Sequence, residues 1–168
     1  MEQFTKAIKQ CLDTNNWYGA LYLSLTMPDI CGNISYPNSK TRERYELWFN
    51  KYLSKFYKYF NRVSQTEVVF LTASDCYALR CSAIHEGVDN IKVKDVIARF
   101  SFSTLSSHCN LFNNVLCLNV THFCEDVIKA MEEWDKENEN DVLTKTKIQN
   151  LLTIHEEPYS PLQGVWYG

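Results

Sequence analysis

Between Thr41 and Phe60, eight large apolar residues, Tyr45, Trp48, Phe49, Tyr52, Leu53, Phe56, Tyr59 and Phe60, recur at helical spacing on one stripe. A stripe of that kind predicts an amphipathic helix whose aromatic face must be buried against other elements. A second stripe, Phe123, Val127, Ile128, Met131 and Trp134, predicts a long helix capped by Thr121 and ending near Asn138. Two helices with faces this apolar need further helices to pack on.

Those helices are legible around them. Glu2 to Leu12 reads as a short amphipathic helix, and the apolar segment Trp17 to Cys31 as another, with Gly32-Asn33 as a stop and Pro28 as a kink or early end. Thr72-Ala73-Ser74-Asp75 has capping-box form ahead of an apolar run that Gly87 can close in a left-handed conformation, which predicts a helix over about 73–86. Alternation appears only later, in Ile97 to Thr104 and in Val115 to Val120, and predicts a small β-hairpin at about 97–120. A last short helix follows near Val142 to Leu152. From about residue 155 the tail is extended, and its aromatics point to docking on the body. The expected fold is mainly α: a helical bundle of four to five helices with a small β-hairpin insertion, in a single domain over 1–168.

A 45% hydrophobic, 14% aromatic composition supplies one dense core and excludes a disordered chain. The apolar run 17–31 contains Pro28 and Asp29 and is too short for a bilayer of ~30 Å, so no membrane span is expected. Seven scattered cysteines, an odd number in apolar surroundings, fit free thiols in a reducing cytoplasm. His122-Phe123-Cys124 with Cys117, and His108-Cys109, offer soft ligands but no zinc spacing, so neither a metal nor another cofactor is expected. Charge is uneven. Seven basic residues against two acidic ones lie between Lys40 and Arg62, and eight acidic against two basic between Glu125 and Asp141. Each is read either as a solvated helix face or, at Lys51, Lys55 and Lys58, as a phosphate-facing patch for substrate.

The most informative residues lie before Gly87. Arg80 has Cys76 and Tyr77 one turn before it and Ala83 and Ile84 one turn after it, so no acid at helical neighbour spacing can neutralise it. A guanidinium so placed needs a carboxylate from another segment, a cluster of carbonyls or a ligand phosphate. Asp29, stranded in an apolar segment, is the leading internal candidate. His85, five residues on, falls about 140° round an α-helix and ~7.5 Å along it, near enough for both side chains to border one cleft, though they need not touch.

The run Tyr77-Ala78-Leu79-Arg80-Cys81-Ser82-Ala83-Ile84-His85-Glu86-Gly87, with its Arg-x4-His pair, resembles the signature helix of the HEPN superfamily. The resemblance covers about a dozen residues, and the preceding helices only in general character. It implies a helical bundle from prokaryotic defence or toxin systems, with metal-independent endoribonuclease activity or RNA binding, and Arg80 and His85 as the catalytic pair. The residue after the arginine, polar in catalytic members, is Cys81 here, and Gly87 stands where one toxin subgroup has a tyrosine. An imidazole that titrates near neutral pH can move a proton at a 2′-hydroxyl while a guanidinium steadies phosphate charge. Three functions stay open: an RNA-cleaving or RNA-binding protein whose cleft two copies of a homodimer could share, a non-catalytic helical module that binds a protein partner, and a protein that holds an apolar small molecule among its aromatics.

Overall fold

The computed structural model describes residues 1–91, 97–105, 107–155 and 157–167. Its helices are α1 (Glu2–Asp13), α2 (Trp17–Ser35), α3 (Thr41–Trp48), α4 (Ala73–Cys81), α5 (Val120–Glu137) and α6 (Val142–Gln149). Among the described residues helix makes up 55% and strand 18%, and the strands form three small sheets. The fold is therefore mixed α/β, which corrects the expectation of a four-to-five-helix bundle with one hairpin.

α2 lies at the centre and packs against α1, α3, α4, α5 and α6, which explains why it is apolar on nearly every side. Asn16 caps its start by accepting from the Gly19 N–H. The helix neither ends at Pro28 nor stops at Gly32 but runs to Ser35. Gly32 instead serves packing. A Cβ there would sit 2.5 Å from the Arg44 carbonyl oxygen, so its missing side chain lets α3 cross α2 at close range. Trp48, Phe49, Tyr45, Leu53 and Tyr57 are fully buried and fill the core with Phe123, Val127, Met131 and Trp134 of α5.

The helix expected over 41–60 stops earlier. After α3 the chain widens into a π-helical turn at Phe49–Leu53 and tightens into a 3₁₀ turn at Ser54–Tyr57. It then leaves as strand β1 (Lys58–Asn61), paired antiparallel with β2 (Thr66–Val69). Tyr59 and Phe60 thus lie on an exposed hairpin rather than on the buried helical stripe. Helical spacing persists in the sequence for three residues beyond the core it faces.

Between 97 and 120 the two alternating runs do not form a hairpin with each other. β3 (Arg99–Ser103) pairs in parallel with β5 (Val115–Asn119), and the antiparallel partner of β5 is the short β4 (Asn110–Phe112). Asn113 and Asn114, both at positive φ (47° and 63°), make the tight β4–β5 turn that asparagine tolerates. Asn119, not Thr121, caps α5, accepting from the His122 N–H at 3.0 Å. The tail forms a hairpin of its own, β6 (Tyr159–Leu162) with β7 (Val165–Tyr167), whose residues are all exposed. Its aromatics meet one another, His155 on Tyr159 and Tyr159 on Tyr167, rather than the body.

Candidate functional site

α4 begins as its sequence dictates: the Thr72 hydroxyl accepts from the Asp75 N–H at 3.1 Å and donates to the Asp75 carboxylate at 2.6 Å. The helix continues as a π-helical turn over Ser82–Glu86 and ends at Gly87, whose φ of 69° gives the left-handed close. Arg80 lies in the last α-helical turn and His85 in the π-helical turn that follows it, so the backbone between them departs from α-helical spacing. Arg80 Nη1 lies 3.0 Å from His85 Nε2.

Arg80 also reaches across to α2, where its Nε is 2.8 Å from Asp29 Oδ2. Both side chains are largely buried, with 18% and 11% of their surface exposed. The Nε–H is not aimed along that contact, so the two groups form an ion pair without a directed hydrogen bond. Burial raises the Asp29 pKa above the ordinary carboxylate value, and the charges of Arg80 and then Arg44 pull it back in part. Tyr77, three residues before Arg80, has its hydroxyl pKa raised by burial and by the adjacent Cys81 thiol.

A guanidinium can only donate, so in the 3.0 Å contact His85 Nε2 stands as the acceptor. His85 itself is exposed. The constellation is thus a guanidinium held between a buried carboxylate and a solvent-reached imidazole.

The lysines of the expected phosphate patch are already engaged. Lys51 Nζ meets Glu137 at 2.7 Å, Lys55 meets Glu133, and Lys58, on β1, meets Glu67 at 3.5 Å. Lys51 and Lys55 therefore face the acidic side of α5, while Lys58 pairs within its own hairpin. The three lysines are not gathered around Arg80 by any contact.

A cleft of about 770 Å³ opens along another side of the same helix: Leu79, Ala83 and Gly87 line it, whereas Arg80 and His85 do not. Its aromatic lining, Trp17, Tyr18, Tyr22 and Phe102, was not foreseen as a site. The signal was present in Trp17-Tyr18 and Tyr22, which place aromatics four and five apart at the start of a helix.

Among the described residues no group of three His, Cys, Asp or Glu side chains is arranged to hold a metal ion, and no helix is long and apolar enough to cross a membrane. Compared with known protein families, curated proteins and solved structures, the chain matches none.

Proposed function

We propose that the Arg80–His85 pair is a phosphodiester site that binds single-stranded RNA and cleaves it without a metal, in keeping with the resemblance to the HEPN superfamily. The observation that carries the reading is the 3.0 Å contact between Arg80 Nη1 and the Nε2 of the exposed His85, which lies in a π turn. Such turns are rare and concentrate at functional sites.

The chemistry follows from the two side chains. An entering phosphate competes for Arg80 Nη1 and frees His85 Nε2 to accept the proton of the adjacent 2′-hydroxyl. The 2′-oxygen forms its bond to phosphorus, the bond from phosphorus to the 5′-oxygen breaks, and that oxygen leaves with a proton from solvent. Arg80 holds the charge that develops on the non-bridging oxygens. The products are a 2′,3′-cyclic phosphate and a 5′-hydroxyl, and DNA, lacking the attacking group, is spared.

The test incubates the purified protein with single-stranded RNA in EDTA and assays the ends. Cyclic phosphate ends that vanish in His85→Ala, with the melting temperature unchanged, support the reading. A folded protein that neither cuts nor retains RNA at low salt overturns it.

A second reading has its own observation. The Asp29–Arg80 ion pair already neutralises the guanidinium, which suits a non-catalytic module that binds a protein partner. On that reading Arg80 serves stability alone, and His85→Ala changes neither RNA retention nor RNA integrity.

A further inference from the structure

The cleft beside α4 has chemistry of its own. Tyr18 is 74% exposed and Tyr22 37%, their ring centroids 6.2 Å apart and tilted by 59°, so both offer ring surface to solvent at the cleft wall. Aromatic surface left open in this way is a stacking platform for flat rings. At the rim, Asp89 uses one oxygen, Oδ2, to accept from both Arg99 Nε at 3.1 Å and Arg99 Nη2 at 3.0 Å. Among the described residues none donates to Asp89 Oδ1, which can accept from another donor, and Asn90 lines the same cleft. Among the described residues that line the cleft, none is basic. The volume of about 770 Å³ falls in the range of ~300–1,000 Å³ usual for small-molecule sites.

These features select the occupant. Open aromatic faces call for a flat ring, the lack of a cation among the described lining residues disfavours an anionic head, and a carboxylate oxygen calls for N–H donors. We propose that the cleft binds a nucleobase, stacked on Tyr18 and Tyr22, with its exocyclic amine donating to Asp89. Adenine, guanine and cytosine, which carry such an amine, then bind in preference to uracil, which has none. The inference rests on the RNA reading only for its link to cleavage: Leu79 and Ala83, which line the cleft, belong to the same helical segment as Arg80 and His85, so one strand of RNA can be held by both. Base binding as such stands independently.

Trp17 makes the site observable. Trp48 and Trp134 are fully buried and Trp166 is on the tail hairpin, so in a Trp166→Phe background a ligand that enters the cleft perturbs chiefly Trp17. Fluorescence titration with guanosine, cytidine, uridine and inorganic phosphate should give saturable quenching by the first two, weaker quenching by uridine and none by phosphate. Tyr18→Ala with Tyr22→Ala should weaken guanosine binding by roughly tenfold or more, the loss of a base stack. Asp89→Asn should erase the preference for cytidine over uridine. Saturable quenching that survives the double tyrosine variant places the ligand elsewhere and overturns the proposal, as does the absence of quenching by any nucleoside or a response to phosphate alone. The two readings separate cleanly: nucleoside binding that persists in a protein unable to cut RNA keeps the base site and removes the nuclease, whereas RNA cleavage without nucleoside binding does the reverse.

Discussion

Replacing Arg80 by alanine leaves the Asp29 carboxylate buried with its nearest cation gone. Removing one partner of a buried pair commonly costs about 3–5 kcal/mol. Here an upper bound can be worked out, because Asp29 can escape by taking up a proton. With an ordinary carboxyl pKa of ~3.9 and about 1.36 kcal/mol per unit, protonation at pH 7 costs roughly 4 kcal/mol. Burial has already raised the Asp29 pKa in the native protein, so part of that penalty is present before the substitution, and Arg44 remains as a weaker counter-charge. The expected loss is about 2–4 kcal/mol at pH 7, or roughly 4–16 °C in melting temperature for a chain of this size. The same bound falls to ~1.5 kcal/mol at pH 5, because protonation there is cheaper. Arg80→Ala should therefore approach the stability of the wild type as pH is lowered, and Asp29→Asn with Arg80→Ala should recover most of the loss at pH 7. Urea unfolding followed by circular dichroism at pH 5 and pH 7 measures each variant. A loss below ~1 kcal/mol at pH 7, or a loss that neither acid nor Asp29→Asn relieves, refutes a stranded carboxylate as its source.

Other outcomes follow from single contacts. Gly32→Ala should lower stability by about 2 kcal/mol or more despite the better helix propensity of alanine, since the new Cβ meets the Arg44 backbone at 2.5 Å; a raised melting temperature would contradict it. His108 accepts the Asn119 N–H on Nδ1 at 3.1 Å, and burial holds its pKa below 6.5, opposed by the charge of Asp126. Above 6.5 the folded and unfolded forms are both neutral and the contact is intact; as pH falls below 6.5 the unfolded form takes up the proton first, so stability drops through that window. His108→Gln should flatten this slope in denaturant titrations between pH 5 and pH 7, and an unchanged slope would assign it to another group. Burial raises Asp126 as well, so its contribution runs the other way, with stability gained as pH falls toward 3.8. All seven cysteines are free, and burial lifts Cys31 well above its usual range, Cys76 to about 12 and Cys124 to about 11. A thiol reagent should consequently modify the half-buried Cys11, Cys81 and Cys117 in the native protein and reach Cys31, Cys76 and Cys124 only on unfolding, which timed mass spectrometry can follow.

What could be read from the sequence was local. The Thr72 cap, the left-handed Gly87 and the amphipathic stripe of α5 depend on residues within a turn or two of each other, and each lies where the spacing puts it. The need of Arg80 for a distant carboxylate was equally legible, because an uncompensated guanidinium on an apolar helix is a local fact, and the structure brings Asp29 to it. Tertiary structure alone decided the rest. The parallel pairing of β3 with β5 joins segments separated by β4 and leaves no trace in the alternation of either strand, which would be the same in a hairpin. Lys51 and Lys55 looked like a free basic face until α5, more than seventy residues later, laid Glu137 and Glu133 against them. The end of the aromatic stripe at Tyr57 was hidden because helical spacing continues through Tyr59 and Phe60, where there is no longer a core to face. The meeting of Arg80 with His85 is the sharpest case: α-helical spacing sets residues five apart about 140° from each other, and the π turn over Ser82–Glu86, which replaces that spacing ahead of His85, has no signature in the residues themselves.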